Sequence, residues 1–267
     1  MHRALAFLRR DWRLQLSYRF SFLLQFFGIF FNLLVFYFLS KLVGDSAAPY
    51  LEPYGGNYFA FVLIGLAFSG YFGVGLNSFS ANLREAQTTG TLEAMLMTPT
   101  RLSTVIMSSS IYDYGFVTFQ VFVYLALGGL LFGVQLDKGN TPAALVVLVL
   151  TIIAMTSLGI IAASFIMVLK RGDPVTLLIS SLAVLLGGVY YPIQLMPQWL
   201  QQLSRLLPIT YSLDAMRRTL LADASFQDVM PDIIALAIFG IVLVPVSLLV
   251  FRYAVHRAKV DGSLAHF

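Results

Sequence analysis

Long runs of apolar residues, separated by short polar stretches, form the main pattern along this chain. A helix needs about 20 mostly apolar residues to cross a bilayer. The runs do not alternate polar and apolar positions as barrel strands do, and a helix satisfies its own backbone hydrogen bonds in lipid. The pattern predicts an all-α membrane protein with six spans, at about residues 20–41, 57–80, 102–134, 142–169, 174–191 and 232–252.

Composition agrees with this pattern. Hydrophobic residues make up 58% of the chain and charged residues 11%, whereas a soluble domain carries about 25% charged residues. No hydrophilic stretch is long enough to fold separately, so residues 1–267 are expected to form a single membrane domain. The first apolar run is too long for a cleavable signal peptide. The chain has no cysteine, which excludes disulfides and thiolate metal sites.

The positive charges predict an orientation. Most of the 17 lysines and arginines fall at the N-terminus, in the second and fourth connections and at the C-terminus, and this charge distribution favours a topology signal over nucleic-acid binding. The positive-inside rule then places both termini in the cytoplasm. The protein is expected to lie in the inner (plasma) membrane of the cell. The residues on that side are Arg3, Arg9, Arg10, Arg13, Arg19, Arg84, Arg101, Lys170, Arg171, Arg252, Arg257 and Lys259.

Residues 1–19 are typical of an amphipathic helix that lies in the headgroup layer. A basic flank that only sets topology is the alternative. The expected helix has Leu5, Leu8, Trp12 and Leu16 on one face, with Arg3, Arg10 and Arg13 away from it.

Residues 191–213, between the fifth and sixth predicted spans, are too apolar for a free loop and too rich in proline for one helix. Pro192, Pro197, Trp199 and Pro208 mark this segment. Two short helices that enter the outer leaflet, a re-entrant hairpin, would fit the pattern. An external lid on the membrane surface would fit it equally well.

The second cytoplasmic connection, residues 83–99, predicts a short amphipathic helical element that docks into a partner protein. Gly90 interrupts it, Thr91 can cap the next turn, and Thr98-Pro99 ends it. Leu92 supplies an apolar face with Met95 and Leu96. The charged residues of this connection are Arg84, Glu85 and Glu93.

In this connection the chain resembles the permease subunits of the ABC transporter type-2 family. The shared signature is Arg84-Glu85, Gly90-Thr91-Leu92-Glu93 and Thr98-Pro99. Chain length, the N-terminal interface helix, six spans and the proline-rich hairpin before the last span extend the resemblance to nearly the whole chain. One departure is the uncharged run at 86–89, where many members are more charged; it puts one ionic contact to a partner in doubt.

The resemblance implies a transport cycle that is shared between chains. Two permease chains, identical or related, would face each other, and each would contact a separate ABC ATPase subunit through residues 84–99. ATP and Mg would bind to the partner ATPase, since this chain has no G-x-x-x-x-G-K-[ST] loop and no hydrophilic domain. Membrane lipid would be the remaining partner, and no cofactor would bind to this chain. Substrate would move outward, from the cytoplasm or the inner leaflet.

An ion-gradient-driven secondary transporter is the alternative function. Its marker would be ionisable residues inside the membrane, and Asp113 is the best candidate. A structural hydrogen bond or ion pair is the favoured interpretation of Asp113. The three histidines, His2, His256 and His266, are terminal, and no acid–base or metal constellation suggests a membrane-embedded enzyme.

Several further positions have two interpretations. Gly65, Ser69 and Gly73 share one helix face, which favours packing within the chain over a dimer contact or gate. Arg217 and Arg218 are expected to pair locally with Asp214 or Asp223 rather than to bind an anionic substrate or lipid. Two interpretations explain the polar residues in the spans equally well: they line a polar path, or they form hydrogen bonds between helices. These residues are Gln25, Asn32, Asn77 and Gln120.

Overall fold

The computed structural model describes residues 19–43, 48–88, 102–136, 139–169 and 173–260. Every regular element within these ranges is helical, which confirms the predicted all-α class. Two 3-10 turns lie at Glu52–Tyr54 and Ile193–Leu195. The α-helices are α1 (Arg19–Val43), α2 (Ala48–Leu51), α3 (Tyr58–Thr88), α4 (Leu102–Phe132), α5 (Thr141–Leu169), α6 (Asp173–Leu186), α7 (Gln198–Ser204), α8 (Pro208–Leu221) and α9 (Met230–Val260).

Five helices in the described part of the chain, α1, α3, α4, α5 and α9, are long and apolar enough to cross a membrane. The fifth predicted span, at 174–191, is a shorter helix: α6 has 14 residues, which is about 21 Å. The hydrocarbon core of a bilayer is about 30 Å thick. The helix ends where Gly188 takes a φ of 69°, a left-handed conformation that favours glycine.

Successive long helices run in opposite directions. At one end of the molecule Tyr37 of α1 contacts the ring of Phe59 near the start of α3 and the ring of Phe132 at the end of α4. At the same end Asn140, just before α5, donates its backbone N–H to Thr219 O of α8. Since residues 191–213 also lie there, we call it the proline-rich end. The opposite end, where residues 89–101 join α3 to α4, is the docking end.

Helix α3 forms the centre of the bundle. Its apolar window Tyr58–Phe79 is 78% buried, against 11% for the window in α1. Phe68, Tyr71 and Phe72 of α3 pack with Met155 of α5 and Met216 of α8 in the main core. The outward faces of α1 and α9 carry exposed phenylalanine, leucine and isoleucine side chains, as expected for helices that contact lipid.

Glycine allows α3 and α5 to cross in close contact. A Cβ atom added to Gly159 of α5 would lie 1.7 Å from the carbonyl oxygen of Gly75 in α3. No side chain fits at that distance, so the two backbones can only approach in this way with glycine at position 159. This is the close helix approach that small residues permit in membrane proteins.

Candidate functional site

The predicted docking segment lies partly within the described residues. Helix α3 continues to Thr88, so the backbone of Arg84 and Glu85 is helical and continuous with the second span. The prediction ended that span at residue 80, but residues 81–88 contain no glycine or proline to stop the helix. Gly90, Thr91, Leu92, Glu93, Thr98 and Pro99 lie outside the described residues, as does the interface helix with Arg3, Arg10, Trp12 and Arg13.

Helices α3 and α4 bracket this segment, and we call them together with residues 89–101 the docking hairpin. The two helices contact each other through side-chain hydrogen bonds. The Tyr71 hydroxyl and Thr118 Oγ1 are 2.8 Å apart. Nearer the docking end, the Ser78 hydroxyl donates to the carboxylate of Asp113. The favoured interpretation of Asp113, a structural hydrogen bond, is therefore confirmed.

Proline begins each element of the segment 191–213. Pro192 precedes the 3-10 turn Ile193–Leu195, Pro197 precedes α7, and Pro208 is the first residue of α8. The fixed φ of proline and its missing N–H suit these positions, because the first N–H groups of a helix have no partner within it. The segment contains two short helices, α7 and the start of α8, as the pattern predicted, with Trp199 63% exposed on α7. Entry of these helices into the outer leaflet stays a prediction.

Buried hydroxyls hold this segment against the end of α6. Ser204, the last residue of α7, is fully buried and donates to the carbonyl oxygen of Leu186 at 2.6 Å. Thr210 of α8 donates to Ser204 O, also at 2.6 Å. On the other side of α8, Ser212 Oγ and Thr151 Oγ1 of α5 are 2.6 Å apart. These bonds connect α6, α7, α8 and α5 at one place.

Arg217 of α8 is the central contact of the proline-rich end. It is 3% exposed, and its guanidinium donates to Phe61 O of α3 at 3.1 Å and to Val189 O at 2.9 Å. Its Cζ lies 3.4 Å from the centroid of the Phe61 ring. Burial lowers the pKa of Arg217 to about 9, while Tyr54 and Asp214 raise it; the side chain is thus protonated at pH 7.

Gly65 provides the room for this contact. A Cβ atom at Gly65 would lie 2.2 Å from Val189 O and 2.6 Å from an Arg217 nitrogen. Packing within the chain, the favoured interpretation of Gly65, is therefore confirmed. Ser69 donates to Leu66 O in its own helix, and a Cβ atom at Gly73 would meet nothing within 4 Å.

Asp214 connects the first outer connection to α8. The Tyr54 hydroxyl donates to one of its carboxylate oxygens, and Arg218 forms an ion pair with the other. Burial raises the pKa of Tyr54 to about 12, and the carboxylate of Asp214 adds to the shift. The predicted local pair is confirmed for Arg218. For Arg217 it is wrong, because that guanidinium hydrogen-bonds to backbone carbonyls instead.

The polar residues predicted in the spans differ in burial and in hydrogen-bond partner. Asn77 of α3 donates to Ser180 Oγ of α6 at 3.3 Å, which is an interhelical hydrogen bond. Gln25 Oε1 of α1 is buried without a hydrogen-bond partner among the described residues. Asn32 is exposed on the outer face of α1 and Gln120 is half-buried on α4.

Tyr54 had no local sequence signal. Gly65 was predicted to pack within the chain, but the sequence did not identify Arg217 as its partner. Arg217 and Phe61 are separated by 156 positions, and Tyr54 and Asp214 by 160. Arginine on a predicted outer segment was the only available signal, and it pointed to solvent or headgroups. Such pairs follow from the packing of α3 against α8, which a pattern of apolar positions does not specify.

The fold and contacts define an all-helical, multi-span membrane protein with a proline-rich cap at one end and a helical hairpin at the other. The sequence model of the ABC-2 type transporter matches residues 3–221, which include both the docking hairpin and the proline-rich segment. The chain belongs to the ABC-2 type transporter family. Such a domain is the membrane component of an ABC transporter and is not itself catalytic. No curated protein matches the chain.

Proposed function

We propose that this chain is the permease subunit of an ATP-driven exporter that moves substrate outward from the cytoplasm or inner leaflet. The observation that carries the proposal is the family match over residues 3–221, within which the signature at 84–99 stands between α3 and α4. Two ABC ATPase subunits would bind ATP and Mg and supply the energy. The chain itself contributes the membrane path.

The docking contact is proposed at residues 83–99. Arg84 and Glu85 extend the end of α3 beyond the apolar window that stops at Phe79, so their charges would stand outside the hydrocarbon core. Gly90-Thr91-Leu92-Glu93 would then present Leu92 to a groove on the ATPase and Glu93 to its polar rim. Arg3, Arg10, Trp12 and Arg13 of the interface helix would lie beside it in the headgroup layer.

The membrane arrangement in this proposal has six spans with a re-entrant hairpin. Helix α6, at about 21 Å, is about 9 Å short of the hydrocarbon thickness. The bond from Ser204 to Leu186 O keeps α7 beside the end of α6, so α7 and α8 would fill the remaining depth. Buried backbone at that depth is tolerated where protein covers it. Pro192, Pro197 and Pro208 set the turns.

Two such chains would form the complete path, with both termini of each in the cytoplasm and the complex in the inner (plasma) membrane. The docking end would then face the cytoplasm and the ATPase subunits. The proline-rich end would face outward, where only five of the 17 lysines and arginines are expected: Lys41, Lys138, Arg205, Arg217 and Arg218. Burial of Arg217 and pairing of Arg218 explain why two of these charges are compatible with that side.

The test is a co-expression of the chain with ABC ATPase subunits, followed by purification and native mass spectrometry. We expect a complex of two permease and two ATPase chains that hydrolyses ATP in lipid vesicles. A chain that never binds an ATPase would contradict the proposal. An ion-gradient-driven transporter would then be the function to test, with Asp113 as the residue to substitute.

A further inference from the structure

Contacts between α3 and α4 follow one antiparallel register over residues 63–78 of α3. The residue numbers of the partners add up to nearly the same value, between 187 and 191, in all four pairs. The contacts include both hydrogen bonds and close packing against glycine. The pairs are Leu63 with Gly128, Gly70 with Val117, Tyr71 with Thr118 and Ser78 with Asp113.

Among these four pairs, Ser78 and Asp113 lie nearest the docking end. From Ser78, α3 continues to Thr88, about 15 Å of helix. From Asp113, α4 extends back to Leu102, a similar length. Both arms of the hairpin therefore project by nearly equal distances beyond this pair, and residues 89–101 connect their ends.

The pair has the chemistry of a strong helix-to-helix contact. Ser78 is 5% exposed, and its hydroxyl donates to a carboxylate oxygen. A hydrogen bond to an ionised acceptor is about twice as strong as one between neutral groups, and low local polarity strengthens it further. A carboxylate within an apolar helix is costly, so a packing role alone would be met more simply by an apolar side chain.

We propose that Asp113 is a positioning residue that makes α3 and α4 move as one body when an ATPase moves the docking segment. The inference rests on the proposed function, since it needs a partner at residues 83–99. Force applied to residues 89–101 reaches two helices. The Ser78–Asp113 contact adds stiffness to the hairpin, so its loss would let the two arms bend more and would pass less of the movement to the core around Tyr71.

The neighbouring residue offers a matched control. Tyr114 is adjacent to Asp113 on α4, and its hydroxyl lies 2.5 Å from Thr156 Oγ1 of α5. Tyr114→Phe therefore removes a polar contact of α4 at the same depth while leaving the Ser78–Asp113 pair intact. Asp113→Asn keeps an oxygen acceptor for Ser78 without the charge, and Asp113→Leu removes the acceptor altogether.

The experiment measures the movement of the two arms separately in the assembled complex. Since the chain has no cysteine, spin labels can be placed at cysteines introduced at chosen positions. One pair, at Ala81 and Tyr253, follows α3 against α9, and the other, at Ile111 and Tyr253, follows α4 against α9; all three side chains are exposed. Labelled chains are diluted with unlabelled ones, and distances are measured without nucleotide and with ATP plus vanadate.

In the native protein and in Tyr114→Phe, we expect both distances to change on adding nucleotide, since α3 and α4 move together. In Asp113→Leu the complex should still assemble, but one of the two changes should fall to less than half of its native value, and Asp113→Asn should be intermediate. Native changes at both sites in Asp113→Leu, or a change at only one site in the native protein, would overturn the inference while leaving the exporter intact.

Two further outcomes separate this inference from the proposed function. If the ATPase binds and hydrolyses ATP but neither distance responds in the native complex, the docking hairpin does not transmit movement and the inference is wrong. If no ATPase binds the native chain at all, the proposed function fails, and a role for Asp113 in coupling fails with it.

Discussion

The two ends of the molecule are constructed differently. At the proline-rich end, Arg217, Ser204 and Asp214 make buried or half-buried bonds that reach α3, α6, α8 and the first outer connection. Toward the docking end, the described side-chain contacts between α3 and α4 run along one register as far as Ser78 and Asp113, and Asn77 and Tyr114 add single hydrogen bonds to α6 and α5. Several elements meet around Arg217 and Ser204 at the proline-rich end, whereas the docking hairpin consists mainly of two paired helices.

This difference indicates how movement would divide between the ends. An element held by a buried charge and several buried hydrogen bonds cannot shift without leaving polar groups unpaired, which is costly. The docking hairpin also contacts α5 and α6 through Tyr114 and Asn77, but among the described residues these are single hydrogen bonds between neutral groups, which a turning helical pair can exchange at lower cost. The proline-rich end is therefore expected to stay rigid while the docking hairpin moves.

The largest effect is expected from Gly65→Ala. The added Cβ would lie 2.2 Å from the backbone oxygen of Val189, and backbone cannot move aside as a flexible side chain can. Thermal unfolding in detergent should report a loss of about 3 kcal/mol. Gly73→Ala, two turns along the same helix and with open space around it, should be neutral or stabilising. Equal effects of the two substitutions would contradict the described contact.

A somewhat smaller loss is expected from Arg217→Met. It keeps an apolar chain in the site but removes the donors to Phe61 O and Val189 O, which we expect to cost about 2 kcal/mol. The matched variant Arg205→Met changes an exposed arginine on the same segment and should have little effect. The denaturation midpoints of the two variants and the native protein are compared at constant detergent concentration. An unchanged midpoint in Arg217→Met would show that the buried guanidinium does not anchor α8.

The smallest effect, from Tyr54→Phe, should depend on pH. The folded pKa of Tyr54, about 12, is above its ordinary value of 10, so its contribution is fully present below pH 10 and is lost as the pH rises to 12. The difference in stability between native protein and variant, about 1.5 kcal/mol at neutral pH, should shrink over that window. Tyr50→Phe, at an exposed position, serves as control; a pH-independent difference would exclude the Asp214 bond as its cause.

The sequence predicted the helices well because their signal is local. Long apolar runs identify α1, α3, α4, α5 and α9, and the prolines at 192, 197 and 208 identify where short elements begin. Residues 174–191 were predicted as one span because they are apolar throughout. The pair Gly187-Gly188 is a turn signal inside that run, and the structure shows that it ends the helix there.

The contacts of the candidate site were harder to predict because they join distant parts of the chain. Asp113 was correctly assigned to a structural hydrogen bond, since an acid in a span needs a partner, but Ser78 was not identifiable as that partner. Arg217 was assigned to a local pair because Asp214 is three positions away. In the folded chain Arg218 occupies that carboxylate, and Arg217 faces α3 instead.

The proposed coupling requires that the ATPase docks at residues 83–99. Two equal charge changes, one at the docking end and one at the proline-rich end, test this directly. Glu93→Arg alters the predicted docking segment, and Glu52→Arg makes the same change at an exposed position of the proline-rich end. Each variant is co-purified with the ABC ATPase subunits, and the affinity of assembly is measured in lipid. We predict that Glu93→Arg weakens assembly by about tenfold or more, equivalent to about 1.4 kcal/mol, and that Glu52→Arg leaves it unchanged. Normal assembly of Glu93→Arg, or an equal loss in both variants, would contradict docking through this segment.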